Sequence, residues 1–213
     1  MSLEVSHANQ EHLCATPRSR VFIMRITGGA ARGIPLVTPK GDAVRPATDG
    51  MRQAVFSSLG ARVVGARFMD LFAGSGAYGL EALSRGAAGG VFVEQNAKAA
   101  ACVRRNIAAV CKSLGRSAAD LIIVQADARG VPLGGGAEVP DLVFVDPPYE
   151  IITESAPPLF ARLAVALGPK PDAIVVFELP GELELAPEGW DLLKRLGKGA
   201  RQPTVAFFRR AGA

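Results

Sequence analysis

Histidine is nearly missing from this chain: there are two in 213 residues, His7 and His12, both in a polar leader. A histidine general base or metal ligand in the core is therefore excluded. Cysteine is almost as scarce. Cys14, Cys102 and Cys111 show no Cys-x-x-Cys spacing, and Cys102 and Cys111 are expected on opposite faces of one helix, so neither a disulfide framework nor a zinc site is supported and no metal is expected. No apolar run approaches the roughly 18 residues that span a bilayer, and the N-terminus lacks the basic-then-apolar order of a signal peptide. A cytoplasmic protein with no membrane partner is the expectation. Internal repeats are also lacking.

What remains is a chain that is 49% hydrophobic with a mean hydropathy of +0.23, long enough for one good core with a small appendage. The formal charge of +4 suits an anionic partner, although so modest an excess is common without one. Residues 1–20 have no hydrophobic period and are expected to be a flexible leader. Residues 21–60 are expected to form a β-hairpin around Gly28-Gly29-Ala30-Ala31-Arg32-Gly33 and then a helix, capped by Thr48 or Asp49, with Met51, Val55, Ser58 and Leu59 on one face. Arg25, Arg32, Arg45 and Arg52 are spread over this module, where a solvated surface explains each about as well as phosphate contact.

Residues 61–213 alternate strands with helices. Phe68 to Phe72 run into Ala73-Gly74-Ser75-Gly76-Ala77-Tyr78-Gly79, a strand, glycine turn and helix start whose free N–H groups invite a ligand. Glu94 ends the second strand about 20 residues on, at the distance of a ribose-binding acid. That spacing also suits a nicotinamide or flavin enzyme. Asp70 argues against one, because a carboxylate four residues ahead of the first glycine repels a pyrophosphate but suits a cation, met directly or through water. Leu121 to Val124 form a third strand, with Asp127 and Ala128 at its carboxyl edge, where Asp127 is either a ligand residue or a helix cap.

Leu142 to Val145 read as a strand buried on both faces, stopped by Pro147 and Pro148. Asp146-Pro147-Pro148-Tyr149 then project as a stiff turn from the edge where open α/β sheets bind ligands. Asp146 and the Pro147 carbonyl offer two acceptors for the two hydrogens of an exocyclic amine, and Tyr149 offers a ring to stack on the base. Ser155 is expected to cap a helix entered through Pro157 and Pro158 and closed at Gly168. Ala173 to Leu179 make another buried strand, with Glu178 at its end facing either cleft or solvent. Trp190 to Leu196 and Thr204 to Phe208 form a closing antiparallel hairpin, with Lys198 in its connection.

Asp-Pro-Pro-Tyr after an apolar strand resembles the catalytic signature of S-adenosylmethionine-dependent methyltransferases of exocyclic amines, and Asp70-Leu71-Phe72-Ala73-Gly74-Ser75-Gly76 resembles the first motif of their Rossmann-like fold. With Arg25-Ile26-Thr27-Gly28-Gly29, Arg45-Pro46-Ala47-Thr48-Asp49 and Gly79-Leu80-Glu81-Ala82-Leu83-Ser84-Arg85, the chain from 25 to about 210 resembles the RsmD family of bacterial 16S ribosomal RNA guanine-N2 methyltransferases. The family usually has arginine at Gly50, glutamate at Gln53 and an aromatic near Val205.

The resemblance implies a mostly parallel seven-stranded sheet with a C-terminal antiparallel hairpin and an RNA-facing N-terminal extension. It implies adenosylmethionine held by Asp70, Phe72, Gly74, Ser75, Gly76, Glu94, Asp127 and Ala128, with catalysis by Asp146, Pro147 and Tyr149. RNA contact is implied for Arg25, Arg32, Arg45, Thr48, Arg52 and Lys198. A monomer acting on 16S rRNA within a small subunit or assembly intermediate is expected. Two alternatives stand beside this reading: a DNA adenine-amine methyltransferase, and a catalytically silent module that binds adenosylmethionine or RNA during ribosome assembly.

Overall fold

The computed structural model describes residues 24–39, 49–133, 138–197, 199 and 202–213. The leader, Arg45, Thr48, Lys198 and the loop of Gly134 to Gly136 lie outside the described residues. Among the described residues four α-helices and seven strands follow in order: α1 (Asp49–Leu59), β1 (Arg67–Leu71), α2 (Ala77–Ser84), β2 (Gly89–Val93), α3 (Ala97–Leu114), β3 (Leu121–Val124), β4 (Leu142–Val145), α4 (Ile152–Ala166), β5 (Ile174–Pro180), β6 (Trp190–Leu196) and β7 (Pro203–Arg210). The strands form one sheet in the order β3-β2-β1-β4-β5-β7-β6. The five strands from β3 to β5 are parallel, and β7 enters antiparallel between β5 and β6. This is the Rossmann-like methyltransferase sheet expected from the sequence.

The winding reverses between β1 and β4. From β1 the chain steps outward through β2 to β3, and it then returns to pair β4 on the other side of β1. Right-handed crossovers put α2 and α3 on one face and α4 on the opposite face. β4 is central, and every residue of its Leu-Val-Phe-Val run is buried because side chains of both parities meet a core. Phe144 belongs to the core on the α2 and α3 face, while Val143 and Val145 belong to the core beneath α4. The reversal places the carboxyl ends of β1 and β4 side by side, which is where such sheets open a ligand crevice.

The N-terminal extension is a narrow hairpin followed by α1. One antiparallel bridge, Arg25 to Pro35, joins its two arms. Its tip is fastened to α2, where the buried Glu81 carboxylate accepts from the Thr27 amide at 2.7 Å, the Thr27 hydroxyl at 2.8 Å and Arg85 Nε at 2.8 Å. Gly29 has φ +77, and a Cβ there would stand 2.0 Å from the Ser84 carbonyl oxygen, so glycine alone permits this approach. Ile26, Leu36, Val55, Phe56 and Leu59 join the same core as Phe68 and Phe144. The extension is thus packed into the sheet's own core.

α4 differs from the expectation. It begins at Ile152, one turn before the prolines, so Ser155 lies inside it and donates its hydroxyl to the Ile151 carbonyl at 2.7 Å. Pro157 and Pro158 remove the amides that would bond the carbonyls of Thr153 and Glu154. All four of those residues are exposed, so water reaches the freed carbonyls. Cys102 and Cys111, expected on opposite faces of α3, are both buried and free, because the buried face of α3 is wide enough to take in both its edges. Among the described residues no helix is long and apolar enough to cross a membrane.

Candidate active site

β1 ends at Leu71, and the next residue, Phe72, has φ +58, the one positive φ of a non-glycine residue among those described. A bulky side chain in the left-handed region is strained, and such strain concentrates where a loop is shaped for a ligand. Gly74 (φ +56) and Gly76 (φ +78) continue the turn into the N-terminus of α2. A Cβ at Gly74 would meet nothing closer than 4.0 Å, so its missing side chain leaves open space beside the loop. Ser75 is buried.

Two carboxylates hold the loop. Asp70 accepts from the Gly79 amide at 2.9 Å, in the first turn of α2, and Glu94 accepts from the Gly74 amide at 2.8 Å and the Asn96 amide at 2.7 Å. Asp70 is 2% exposed, so what it contributes to the site is a tethered helix start. Burial pushes its carboxyl well above the usual range, against the opposing Gly79 hydrogen bond, with Asp146 and Glu94 adding repulsion.

Across the crevice, the β1 and β4 register pairs Leu71 with Val145, which sets the strained Phe72 opposite Asp146. Asp146 is half-buried, Pro147 is buried, and Pro148 and Tyr149 are exposed, Tyr149 by 40%. The stiff proline pair thus presents the carboxylate from the floor of the crevice and the ring from its rim. Burial raises the Asp146 carboxyl to about 7, so it exchanges its proton near neutrality.

Glu178 stands at the register position beside Asp146, since β4 and β5 pair Val145 with Phe177. It is buried and accepts the Tyr78 hydroxyl at 2.9 Å. Burial and then the neighbouring Asp146 push its carboxyl up to about 9, while the Tyr78 hydroxyl and Arg52 pull it back. Tyr78, from α2, is stacked on Phe144 at 5.4 Å, and burial followed by Glu178 pushes its own ionisation well up. At neutral pH both are uncharged, so negative charge at this end of the crevice belongs to Asp146. The sequence left Glu178 open between cleft and surface; its place at the end of an unbroken apolar strand was the signal for burial.

The remaining expected residues fall in three places. Asp127 caps a turn by accepting the Arg129 amide at 2.9 Å and pairs with the Arg129 guanidinium at 2.7 Å, which holds its carboxyl below the usual range. Ala128 is buried beside it, and Arg162 of α4 donates to the carbonyls of Ala128, Arg129 and Val131, anchoring this loop. Arg32 is exposed, and the Arg25 side chain, 63% exposed, reaches Asp49 at 3.2 Å. Arg52 requires a correction. It is 1% exposed and donates to the Arg25 carbonyl at 2.8 Å and the Asp49 carboxylate at 2.7 Å, so it braces the extension from within and presents no surface to a nucleic acid. The sequence did carry that signal: Arg52, Val55, Phe56 and Leu59 follow the i, i+3, i+4, i+7 pattern of a buried stripe, which keeps Val55 and Leu59 of the stripe expected and has Arg52 and Phe56 in place of Met51 and Ser58.

The family model described as conserved hypothetical protein 95 matches residues 24–208. Ribosomal RNA small subunit methyltransferase D of Escherichia coli strain K12 is 37% identical over 126 residues, which are 59% of this chain and 60% of that relative's length. The protein of the same description from Haemophilus influenzae is 30% identical over 186 residues, covering 86% of this chain and 93% of the relative. The solved structure of Escherichia coli yhhF overlays with a TM-score of 0.66 at 30% identity, over 88% of this chain and 98% of the other.

Proposed function

Because this chain belongs to the conserved hypothetical protein 95 family, that of the ribosomal RNA small subunit methyltransferases D, we propose that it methylates the exocyclic N2 amine of a guanine in 16S ribosomal RNA, with S-adenosylmethionine as donor. The observation that carries the reading is the juxtaposition of Asp146-Pro147-Pro148-Tyr149 with the strained, glycine-rich loop after β1. An acid-lined entrance suits a donor that carries an α-ammonium and a sulfonium. Glu94 would hold its ribose hydroxyls, the backbone of Phe72 to Gly76 its amino-acid end, and the loop of Asp127 and Ala128 its base. Adenosylmethionine supplies the methyl group, and the S–CH3 electron pair stays on sulfur.

The chain's own residues prepare the amine. The target guanine, turned out of its stack, lies on the Tyr149 ring. Its two N2 hydrogens meet the Asp146 carboxylate and the Pro147 carbonyl, which draws the delocalised lone pair back onto nitrogen. As the N–CH3 bond forms, nitrogen becomes cationic and gives one proton to Asp146, which passes it to solvent. A carboxyl ionising near 7 suits both halves of that exchange. Glu178 and Tyr78, held neutral, add no charge beside Asp146. The substrate is the small subunit or an assembly intermediate in the cytoplasm, met by the protein as a monomer.

Nuclease digestion and mass spectrometry of small-subunit RNA incubated with the protein and adenosylmethionine test the assignment. N2-methylguanosine is expected. Methyladenine arising only in duplex DNA would replace this reading with that of a DNA adenine-amine methyltransferase.

A further inference from the structure

The solvent face of α3 has no part in the site described so far. Its 18 residues include Lys98, Arg104, Arg105 and Lys112 and not one acid. The whole chain has 24 basic and 20 acidic side chains, so the net charge of +4 equals what α3 alone contributes and the rest of the protein is balanced. All four cations are exposed, and none has an ion pair or hydrogen bond from its side chain to the described residues. Ion pairs elsewhere on the surface engage Arg25, Arg67, Arg116, Arg129 and Lys170. Arg32 and Arg62 are exposed and also lack an ion pair to the described residues, but each stands alone, whereas α3 gathers four such cations on one helix.

Their placement is ordered. Lys98, Arg105 and Lys112 recur every seven residues, so they form one stripe about 21 Å long that drifts by only about 20° per step. The other exposed positions of the helix besides Arg104 are Ala108 and Ala109 within the stripe and Ala97 and Ser113 at its ends, side chains too short to hold an approaching chain away. Arg104 widens the stripe at its middle.

The stripe is also fixed relative to the crevice. Asn96 caps α3 by accepting the amides of Lys98 and Ala99, two residues after Glu94. Buried Asn106, at the helix midpoint, exchanges hydrogen bonds with Val37 of the N-terminal extension at 2.8 and 2.9 Å and donates to the Ser75 carbonyl at 2.8 Å. One side chain thus ties the helix to the glycine loop and to the module that carries Arg25 and Arg32.

We propose that the solvent face of α3 is a docking surface for the sugar-phosphate backbone of the substrate RNA, with Lys98, Arg105 and Lys112 meeting phosphates along one path and Arg104 beside it. Unpaired, evenly spaced cations among small side chains complement a polyanion and have nothing to offer an apolar or basic partner. This surface rests on the reading of the protein as an RNA methyltransferase, and it sets the register in which the target base reaches the crevice.

The test replaces all four residues by glutamine, a helix former of similar propensity, at positions that bury nothing. Methyl transfer to small-subunit RNA is measured against RNA and salt concentration, with melting temperature and adenosylmethionine affinity as controls. The expected result is a rise in KM for RNA of at least about tenfold at moderate salt, and a slope of log affinity against log salt shallower by roughly 3, at about 0.7 to 0.9 per phosphate contact. Melting and cofactor affinity stay at wild-type values, and Arg104→Lys with Arg105→Lys, which keep the charge, leaves KM unchanged. An unchanged KM and salt slope in the glutamine variant overturn the proposal. So does a loss seen with assembled particles and absent with naked RNA, which would make the occupant a ribosomal protein. Failure of the wild type to methylate any RNA would instead remove the underlying function.

Discussion

In the proposed reaction Asp146 accepts a proton from an alkylated amine near neutral pH, and an ordinary exposed aspartate is too weak a base to do so efficiently. Its burial at the end of β4 raises its carboxyl to about 7. kcat/KM for RNA is therefore expected to climb as pH rises through about 7, following loss of the Asp146 proton, and a pH series under first-order conditions checks this. Glu178 leads to a second expectation, in stability. Its carboxyl ionises at about 9 in the fold but in the ordinary range when unfolded, so the folded protein binds the extra proton in between. Stability from this group is full at low pH and declines as pH rises toward 9. Glu178→Gln keeps an acceptor for Tyr78 and cannot ionise, so its melting temperature should fall less between pH 7 and 9 than that of the wild type. At this scale the sequence showed where Asp146 sits, because two prolines after an apolar run end the strand there. Arg52 was misread because a charged residue in a basic segment looks solvated until the phase of its helix is known.

Among the elements, strand limits were the most legible: Leu121–Val124 and Leu142–Val145 are apolar runs with breakers at both ends, and the structure gives the same bounds. The start of α4 was not, because the rule that prolines open helices ignores the extra turn that an exposed face tolerates. The joint between β1 and α2 is tighter than its glycines alone suggested. A Cβ at Gly79 would stand 2.5 Å from ring atoms of both Phe68 and Phe92. Gly79→Ala should cost about 1 to 3 kcal/mol by overpacking, read from denaturant melts, and should weaken adenosylmethionine binding as the loop shifts. Arg162 is the corresponding brace on the far side. Arg162→Leu releases three carbonyls of the loop carrying Asp127 and Ala128, and calorimetry should find adenosylmethionine binding weakened by several-fold with a smaller loss of stability.

Over the whole molecule, one reversal of winding between β1 and β4 gathers the chemistry. It sets Asp70, Glu94, Asp146 and Glu178, distant in sequence, at one edge of one sheet. The sequence conveyed this through the order of its apolar runs and the acids that end them. It did not convey that the N-terminal extension shares the sheet's core, because the contact of Phe56 with Phe144 at 5.6 Å joins residues 88 positions apart, and no local pattern records such a pair. The central claim is that Asp146 receives the proton of a guanine amine while the rest of the edge binds the donor. Its most direct test compares wild type with Asp146→Asn in transfer of labelled methyl from adenosylmethionine to unmodified small-subunit particles, with cofactor affinity measured on the same samples. The account predicts label in guanine with the wild type, a fall in turnover of about 10² to 10⁴-fold in the variant, and cofactor affinity within a few-fold of the wild type. Near-normal turnover in the variant, or equal loss of cofactor binding and turnover, would contradict it.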